Sequence, residues 1–208
     1  MRVAVIGAGR MGGTLARLLG AHGHEVVVTA ARGREELAPV VAGWPGVVAG
    51  EREDVVGSDV VVLAFPWRVA EEALAGLDLQ DHVVVDATNP FSADYDIVDT
   101  GPTGSTGVIA ALLPGARVVK AFNTLPAEQF VESAAETAPT ARRIGVAIAA
   151  DDREARDEVA DLVGDLGFTA VPVGGLDAGR DLMQPATPLF MVPLPAIELE
   201  ARVHQLID

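Results

Sequence analysis

The chain has 208 residues and no Cys, and its 15 Lys and Arg against 30 Asp and Glu give a net charge of −15. This length fits one large domain, or one domain with a small appendage, and a hydrophobic fraction of 50% excludes a disordered chain. The missing Cys excludes disulfides, Cys-ligated zinc, iron–sulfur clusters and a thiol nucleophile. The acidic charge argues against nucleic acid and membranes as partners. Since the sequence has neither a signal peptide nor an apolar run of about 18 residues, we expect a cytoplasmic protein.

Short Val-rich segments alternate with amphipathic stretches along the chain. The predicted strands, of which the third is the weakest, are Arg2–Ile6, Glu25–Thr29, Val47–Ala49, Val60–Ala64, Val83–Asp86, Arg117–Lys120, Ile144–Ala149 and Thr169–Val173. The predicted helices between them are Met11–Ala21, Arg34–Ala42, Arg68–Ala75, Gly107–Leu113, Ala127–Ser133 and Arg153–Leu166. Apolar runs without polar alternation are typical of strands buried on both faces. The strand–helix–strand order therefore predicts an α/β fold with a doubly wound, mostly parallel sheet.

The first predicted strand runs directly into the segment GAGRMG, which opens the first predicted helix. In this GxGxxG pattern, Gly7 permits a tight turn, Gly9 lets the backbone approach a pyrophosphate, and Gly12 lets the helix pack on the strand. Arg10 and Met11 lie inside the same loop. Because the amides at a helix start are free to meet phosphates, the segment predicts a Rossmann-type site for a dinucleotide.

The end of the second predicted strand indicates which dinucleotide binds. NAD sites place Asp or Glu there to bind the ribose hydroxyls. Here the strand ends in Thr29 and is followed by Arg32 and Arg34, with no carboxylate between them. A 2′-phosphate pairs with a guanidinium and repels a carboxylate. We therefore predict NADP(H) as the cofactor, with Thr29, Arg32 and Arg34 among its contacts.

Later strand ends supply further candidate contacts, because ligands of doubly wound sheets bind beyond the carboxyl ends of the strands. Ala64, Phe65 and Pro66 follow the fourth predicted strand. Asn89 follows the fifth and Asn123 follows the sixth. We predict that these five residues contact the cofactor near its nicotinamide.

No side chain is assigned as catalytic, and no metal site is predicted, because the sequence contains none of the usual hydrolase, P-loop or metal-ligand motifs. Asp86, the one acid at a suitable strand end, and Asn123 are kept as candidates. His22, His24 and His82 precede strands, so we expect them on the surface at the opposite edge of the sheet. Direct hydride transfer between two cofactors needs few acid–base groups, since the cofactors carry the chemistry.

Two segments depart from the strand–helix pattern. Residues 91–106 are predicted as a long polar loop, and loops of that length are often functional. Residues 182–199 contain four Pro and cannot form one regular helix, so we expect them to cover their own sheet, a pocket or a second subunit. We divide the chain into an NADP-binding Rossmann domain, residues 1–175, and a C-terminal helical or apolar extension, residues 176–208, that completes the site or a dimer interface.

Several segments resemble the coenzyme F-420-dependent NADP oxidoreductases and their bacterial relatives, the dinucleotide-binding reductases. They are GAGRMGGTLARLLGAHGHEVVVTAARG, VVVLAFPW, VVVDATNP and VVKAFNTLPAEQF. The domain plan is also similar to the NADPH domain of membrane ferric reductases. The resemblance implies a homodimer that transfers a hydride between NADPH and the 5-deazaflavin coenzyme F-420 without an obligatory side-chain acid. Asn123 stands where characterised members have His, and Ala30 and Ala31 stand where relatives often have Ser or Asn.

We therefore predict an NADPH-dependent oxidoreductase with a small-molecule redox acceptor, and coenzyme F-420 as its co-substrate. A different acceptor (a free flavin, a ferric complex or an imine) and a non-catalytic NADP(H)-binding sensor are the alternatives. Asp94, Asp96 and Asp99 would repel the phosphorylated, carboxylated deazaflavin if they face it. Lys120, the only Lys of the chain, is predicted at a strand end that faces the site, and its role is left open.

Overall fold

The computed structural model of the chain describes residues 1–133 and 139–207. The strands in these ranges are β1 (Arg2–Ile6), β2 (Glu25–Thr29), β3 (Val47–Ala49), β4 (Val60–Leu63), β5 (Val83–Asp86), β6 (Arg117–Lys120), β7 (Gly145–Ala150) and β8 (Thr169–Gly174). They form one sheet in the order β3-β2-β1-β4-β5-β6-β7-β8. Neighbouring strands run parallel, except that β6 and β7 pair antiparallel. The predicted α/β fold with a doubly wound, mostly parallel sheet is confirmed.

Helices cover both faces of this sheet. In the described ranges they are α1 (Arg10–Ala21), α2 (Gly33–Val41), α3 (Ala70–Leu74), α4 (Gly104–Leu112), α5 (Ala127–Ser133), α6 (Arg153–Asp165), α7 (Leu176–Met183) and α8 (Ala196–Ile207). Short 3-10 helices occupy Arg52–Gly57, Trp67–Val69 and Thr140–Arg142. None of these described helices has the length and apolar character that a membrane crossing requires. The helix α4 begins at Gly104, which has a left-handed backbone (φ +67°), three residues before the predicted start at Gly107.

The packing of β1 explains why the strands lack polar alternation. Val3 and Val5 pack with Leu15 of α1 in the cluster on one face of the sheet. Ala4 and Ile6 pack in a separate cluster on the opposite face. Because these positions are buried on both faces of the sheet, every residue of β1 after the exposed Arg2 is apolar. The carboxyl ends of β1, β2, β4 and β5 reach the same edge of the sheet, and the candidate site lies there.

The C-terminal extension covers the β7–β8 end of the sheet. Leu199 and Val203 of α8 pack in one cluster with Val171 and Val173 of β8. Pro195, directly before α8, forms an isolated bridge with the residue that precedes β7. The sequence predicts that the proline-rich residues 182–199 cover their own sheet, a pocket or a second subunit. The structure shows the first of these three roles.

The expectation that His24 lies on the surface is wrong. Its side chain is only 6% exposed, because the turn between α1 and β2 folds back and the His24 amide donates to the carbonyl oxygen of Leu19. The His24 Nε2 lies 3.4 Å from Oδ2 of Asp165. Burial lowers the pKa of His24 below its ordinary value. His24 precedes β2, at the edge of the sheet opposite to the candidate site.

Candidate cofactor site

The turn between β1 and α1 is shaped by three glycines. Gly7 has a left-handed backbone, φ +117°, and a Cβ at this position would lie 2.4 Å from the carbonyl oxygen of Ala64. A Cβ on Gly12 would lie 1.9 Å from the carbonyl oxygen of Gly7. Around Gly9, no atom of the described residues comes within 4 Å of such a Cβ, apart from those of its two chain neighbours. Gly7 and Gly12 therefore allow β1, β4 and α1 to approach closely, while Gly9 leaves the backbone open to a ligand.

The N-terminus of α1 faces this opening with unpaired donors. Its N-cap residue is Gly9, which has no side chain to cap the helix, and the first turn carries no acidic residue. The first amides of an α-helix have no partner inside the helix, and the peptide dipoles add partial positive charge there. The open space over Gly9 and these amides fit the pyrophosphate of a dinucleotide.

A cavity of about 440 Å³ lies beyond the carboxyl ends of β1, β2 and β3, and we name it the adenosine-side cavity. Its lining residues are Ile6, Thr29, Ala30, Ala31, Gly33, Gly50, Glu51, Arg52, Val69, Glu72 and Ala73. The predicted contact Thr29 is among them. A cavity at these strand ends suits the adenosine half of a dinucleotide, whose 2′ position lies near the end of the second strand.

Three arginines near the adenosine-side cavity take different positions. Arg32 is exposed and stands between two residues that line the cavity. Arg34 lines a separate cavity of about 590 Å³ along β2 and β3. Arg52, which the sequence did not single out, lines the adenosine-side cavity and donates a hydrogen bond to the backbone after α3. Arg32 and Arg52 are therefore better placed than Arg34 to meet a 2′-phosphate.

Two carboxylates, Glu51 and Glu72, also line the adenosine-side cavity. The Glu51 carboxylate accepts a hydrogen bond from the amide of Asp54, and the Asp54 carboxylate accepts one from the amide of Glu51 at 2.9 Å. This reciprocal capping box directs the Glu51 charge to the start of the 3-10 helix. The cavity therefore carries both signs of charge, and the choice between cofactors depends on how its arginines are placed.

A second cavity, of about 280 Å³, lies on the other side of the glycine loop, and we name it the nicotinamide-side cavity. Its lining contains the predicted residues Gly9, Arg10, Met11, Ala64, Phe65, Pro66 and Asn89. The lining residues that the sequence did not predict are Trp67, Arg68, Ala87, Thr88, Phe91, Ser92 and Tyr95. Within the described part of the chain, this lining includes no carboxylate, imidazole or ammonium group. The structure thus brings the predicted residues that follow β1, β4 and β5 together with further residues of the loop after β5.

Asn123 lies behind this cavity and braces its wall. The Asn89 side-chain amide donates to the carbonyl oxygen of Asn123 at 2.9 Å, and the Asn123 amide donates to Oδ1 of Asn89 at 3.1 Å. A further hydrogen bond of 2.8 Å joins the Asn123 amide to the carbonyl oxygen of Met183. Asn123 is 3% exposed and is not part of the cavity lining. Its contact with a cofactor therefore stays a prediction, while its contact with Asn89 is observed.

Asp86, the acid kept as a catalytic candidate, is completely buried and lines neither cavity. Its carboxylate forms an ion pair with Lys120, which is 1% exposed. Burial lowers the pKa of Lys120, and the neighbouring Asp86 carboxylate opposes that shift. Two buried charges of opposite sign that form such an ion pair hold one another in place. The geometry therefore makes Asp86 a buried support behind the cavity wall rather than a group that meets the substrate.

Arg10 forms an ion pair with Glu128 of α5, and both side chains are mostly in solvent. An exposed pair of this kind contributes little to stability. It places a carboxylate beside an arginine of the glycine loop. A phosphate bound at Gly9 would compete with Glu128 for this guanidinium.

Aromatic side chains border the mouth of the nicotinamide-side cavity. The ring centroid of Phe91 lies 6.4 Å from that of Tyr95 and 6.4 Å from that of Phe190. Tyr95 is 82% exposed and has a left-handed backbone, φ 65°, which is costly for a non-glycine residue. The indole of Trp67 is held by a hydrogen bond of 3.2 Å to the carbonyl oxygen of Ser105. In the sequence, the signal for these aromatic residues at the cavity mouth is the presence of Phe91 and Tyr95 inside the predicted polar loop.

Comparison with known proteins agrees with this architecture. Residues 2–90 match the profile of the family described as NADP oxidoreductase, coenzyme F-420-dependent. The crystal structure of hypothetical protein SMa0349 from Sinorhizobium meliloti superposes with a TM-score of 0.84 and 32% identity, over 94% of this chain and 95% of that chain. A protein from Arthrobacter sp. FB24, provisionally named an F-420-dependent NADP-reductase, superposes with a TM-score of 0.75 and 26% identity, over 86% of this chain and 87% of that chain.

A curated relative is the metalloreductase STEAP3 of Rattus norvegicus, which is 27% identical over 194 residues. The match covers 92% of this chain, and the chain spans only 37% of the length of that relative.

The doubly wound sheet, the glycine loop and the cavities beyond the strand ends define a Rossmann-type, NADP(H)-binding oxidoreductase. The chain belongs to the family of coenzyme F-420-dependent NADP oxidoreductases. The family resemblance of the sequence segments is thereby confirmed.

Proposed function

We propose that this protein transfers a hydride between NADP(H) and coenzyme F-420. The observation that carries this proposal is the nicotinamide-side cavity, which joins the glycine loop to Phe65, Pro66, Phe91 and Tyr95. Apolar and aromatic walls suit two planar rings placed against one another. A cavity lining without carboxylate, imidazole or ammonium groups in the described residues suits a reaction in which the cofactors carry the chemistry.

The two cavities divide the contacts to NADP(H) between them. The glycine loop and the start of α1 would hold the pyrophosphate, and Arg32, aided by Thr29, would hold the 2′-phosphate. Phe65 and Asn89 would bound the nicotinamide. When bound, NADPH supplies a hydride, which carries two electrons, and the proton that completes the reduction of the acceptor comes from solvent. The role of the chain is to align the rings and to exclude water between them.

A second candidate function is the reduction of an acceptor that lacks an anionic tail. Asp94 and Asp96 are exposed on the loop that also carries Tyr95, and Asp99 follows on the same loop. If these three carboxylates face the cavity, they repel the phosphate and carboxylate groups of coenzyme F-420. The name metalloreductase of the relative STEAP3 also makes a ferric complex a reasonable acceptor to test.

The test is a comparison of acceptors with the purified protein. Oxidation of NADPH is measured with coenzyme F-420, FMN, a ferric chelate and a cyclic imine at one ionic strength. We expect the largest kcat/KM with coenzyme F-420. A larger kcat/KM with another acceptor contradicts the assignment, and tight NADPH binding without any turnover favours a sensor.

The acidic loop can be tested in the same assay. If its carboxylates face the acceptor, the combined change Asp94→Asn, Asp96→Asn and Asp99→Asn lowers the KM for coenzyme F-420 and leaves the KM for a neutral imine unchanged. Asp161→Asn on α6 is the control for a change in charge far from the cavity. An unchanged KM for coenzyme F-420 would show that the loop does not select the acceptor.

We also propose that the protein is a homodimer, as the family resemblance implies. Light scattering measures this directly, and the mass of one chain, 21.5 kDa, is the result that would contradict it.

A further inference from the structure

The only Lys of the sequence is buried one strand away from the nicotinamide-side cavity. β5 and β6 are paired so that Asp86 lies opposite Lys120. The Lys120 Nζ donates to Oδ2 of Asp86 at 3.0 Å and to the carbonyl oxygen of Thr88 at 2.6 Å. Lys120 is 1% exposed, so its ammonium is removed from bulk solvent. The ammonium therefore acts on two groups of the neighbouring strand end.

The Asp86 carboxylate connects this lysine to two further elements. Its Oδ1 accepts from the amide of Thr88 at 2.9 Å and from the Thr88 hydroxyl at 2.6 Å. Its Oδ2 accepts from the hydroxyl of Thr106 in α4 at 2.8 Å, in addition to Lys120. Four donors saturate the carboxylate. The network joins the ends of β5 and β6 to the first turn of α4.

Thr88 is the residue at which these hydrogen bonds meet. Its amide and its hydroxyl are held by Asp86, and its carbonyl is held by Lys120. Thr88 and the adjacent Asn89 line the nicotinamide-side cavity. Asn89 is in turn held by Asn123, three residues after Lys120. The wall of the cavity is thus fixed at two successive residues by side chains from the β6 end.

A buried ion pair is a costly way to provide stability alone. Well-packed apolar residues of similar volume often match or exceed the stability of such a pair, whereas its hydrogen bonds impose one geometry. In this structure, that geometry is imposed on the backbone that would face a nicotinamide ring. The ion pair is therefore better suited to orienting this backbone than to raising the stability of the fold.

We propose that Lys120 is a positioning residue, which orients the Thr88–Asn89 wall so that the nicotinamide ring lies correctly for hydride transfer. The inference rests on the proposed NADP(H) chemistry, but not on the identity of the acceptor. The glycine loop and the adenosine-side cavity lie outside the network. A change in Lys120 should consequently affect the nicotinamide half of the cofactor and leave the adenosine half alone.

The test variant is Lys120→Met combined with Asp86→Asn, since Lys120→Met by itself leaves a buried carboxylate unpaired and lowers Tm by about 6–20 °C. Calorimetry compares binding of NADP⁺ with binding of 2′,5′-ADP, which lacks the nicotinamide. We expect unchanged affinity for 2′,5′-ADP, weaker binding of NADP⁺, and a kcat reduced about tenfold or more because the ring is misaligned. Arg117→Met, at the opposite end of β6, is the matched control and should change none of these values.

Equal weakening of both ligands, or unchanged NADP⁺ affinity and kcat, overturns the positioning role. If the double variant does not fold, Thr106→Val is used instead, because it removes one donor from Asp86. This variant should also weaken the binding of NADP⁺ relative to the binding of 2′,5′-ADP, by a smaller factor. An unshifted ratio in that variant also counts against the proposal. If the wild-type protein reduces no acceptor, the proposed function fails, while the comparison of NADP⁺ with 2′,5′-ADP still decides the role of Lys120.

Discussion

The two halves of the candidate cofactor groove are held together in different ways. At the phosphate end, β1, β4 and α1 meet through Gly7 and Gly12, and the ligand-facing groups are backbone amides. At the nicotinamide end, side chains join β5, β6 and α4 through Asp86, Lys120 and Thr106. The first half depends on the absence of side chains, and the second half depends on buried polar ones. A substitution at the phosphate end should therefore lower stability through a steric clash. A substitution at the nicotinamide end should lower it by leaving a buried charge unpaired.

The two ion pairs of the site show the same contrast. Arg10 and Glu128 pair in solvent, with side chains 83% and 52% exposed, whereas Lys120 and Asp86 are 1% and 0% exposed. Water screens the first pair and makes it exchangeable, so a bound phosphate can take the place of Glu128. The second pair has no alternative partner in water, so it fixes the geometry around it.

The largest effect is expected from Asp86→Asn, which leaves the Lys120 ammonium buried without its counter-charge. The free energy of unfolding should fall by about 3–5 kcal/mol at neutral pH. Burial already lowers the pKa of Lys120, and the lost carboxylate lowers it further, so the folded state binds fewer protons than the unfolded state. Stability should therefore rise with pH through the range between the two pKa values. Urea unfolding at neutral and alkaline pH checks this, and a pH-independent loss contradicts it.

Gly12→Ala should have the next largest effect, because its Cβ would lie 1.9 Å from the carbonyl oxygen of Gly7. We expect a loss of about 3 kcal/mol in the free energy of unfolding, measured by urea unfolding. Gly9→Ala is the matched control, since its Cβ meets no described atom within 4 Å. That control should keep its stability and lose NADPH affinity by about tenfold, equivalent to about 1.4 kcal/mol. Equal stability of both variants would contradict the close approach of β1 and α1.

Arg32→Ala tests the adenosine-side cavity and should weaken NADPH binding by about 10- to 150-fold, the value of one lost charge-assisted contact of about 1.5–3 kcal/mol. NADH binding should change little, because NADH has no 2′-phosphate. Arg34→Ala should have a smaller effect, since Arg34 lines a different cavity. Fluorescence titration with both nucleotides measures these affinities. An equal loss for NADPH and NADH, or a larger loss in Arg34→Ala, contradicts the assignment of Arg32.

The smallest effect is expected from Glu128→Gln, which breaks the exposed pair with Arg10. The free energy of unfolding should change by less than about 0.5 kcal/mol. NADPH should bind up to about fivefold more tightly at low salt, because Arg10 becomes free for the phosphates, and the gain should disappear at high salt. A large loss of stability would remove the contrast between the two ion pairs.

Most of the phosphate half was predictable from the sequence, because local rules dictate it. A Val-rich strand, a GxGxxG turn and an amphipathic helix follow one another within a single segment, and each has one geometry compatible with its residues. The residues after β4 and β5 were also predictable, since parallel strands end at a common edge. Arg52 was not predictable in this way, because a 3-10 helix after β3 carries it to the adenosine-side cavity, where Arg34 had been expected.

The sequence by itself determined the class of fold, the glycine loop and the edge of the sheet at which the cofactor residues gather. Only the tertiary structure decided that His24 is buried, that Asn123 supports Asn89 from behind, and that Lys120 is paired with Asp86. The physical reason is the range of the interactions. Strand and helix patterns arise between residues close in the chain, whereas Asp86 and Lys120 are 34 residues apart and meet only because β5 and β6 are aligned in the sheet.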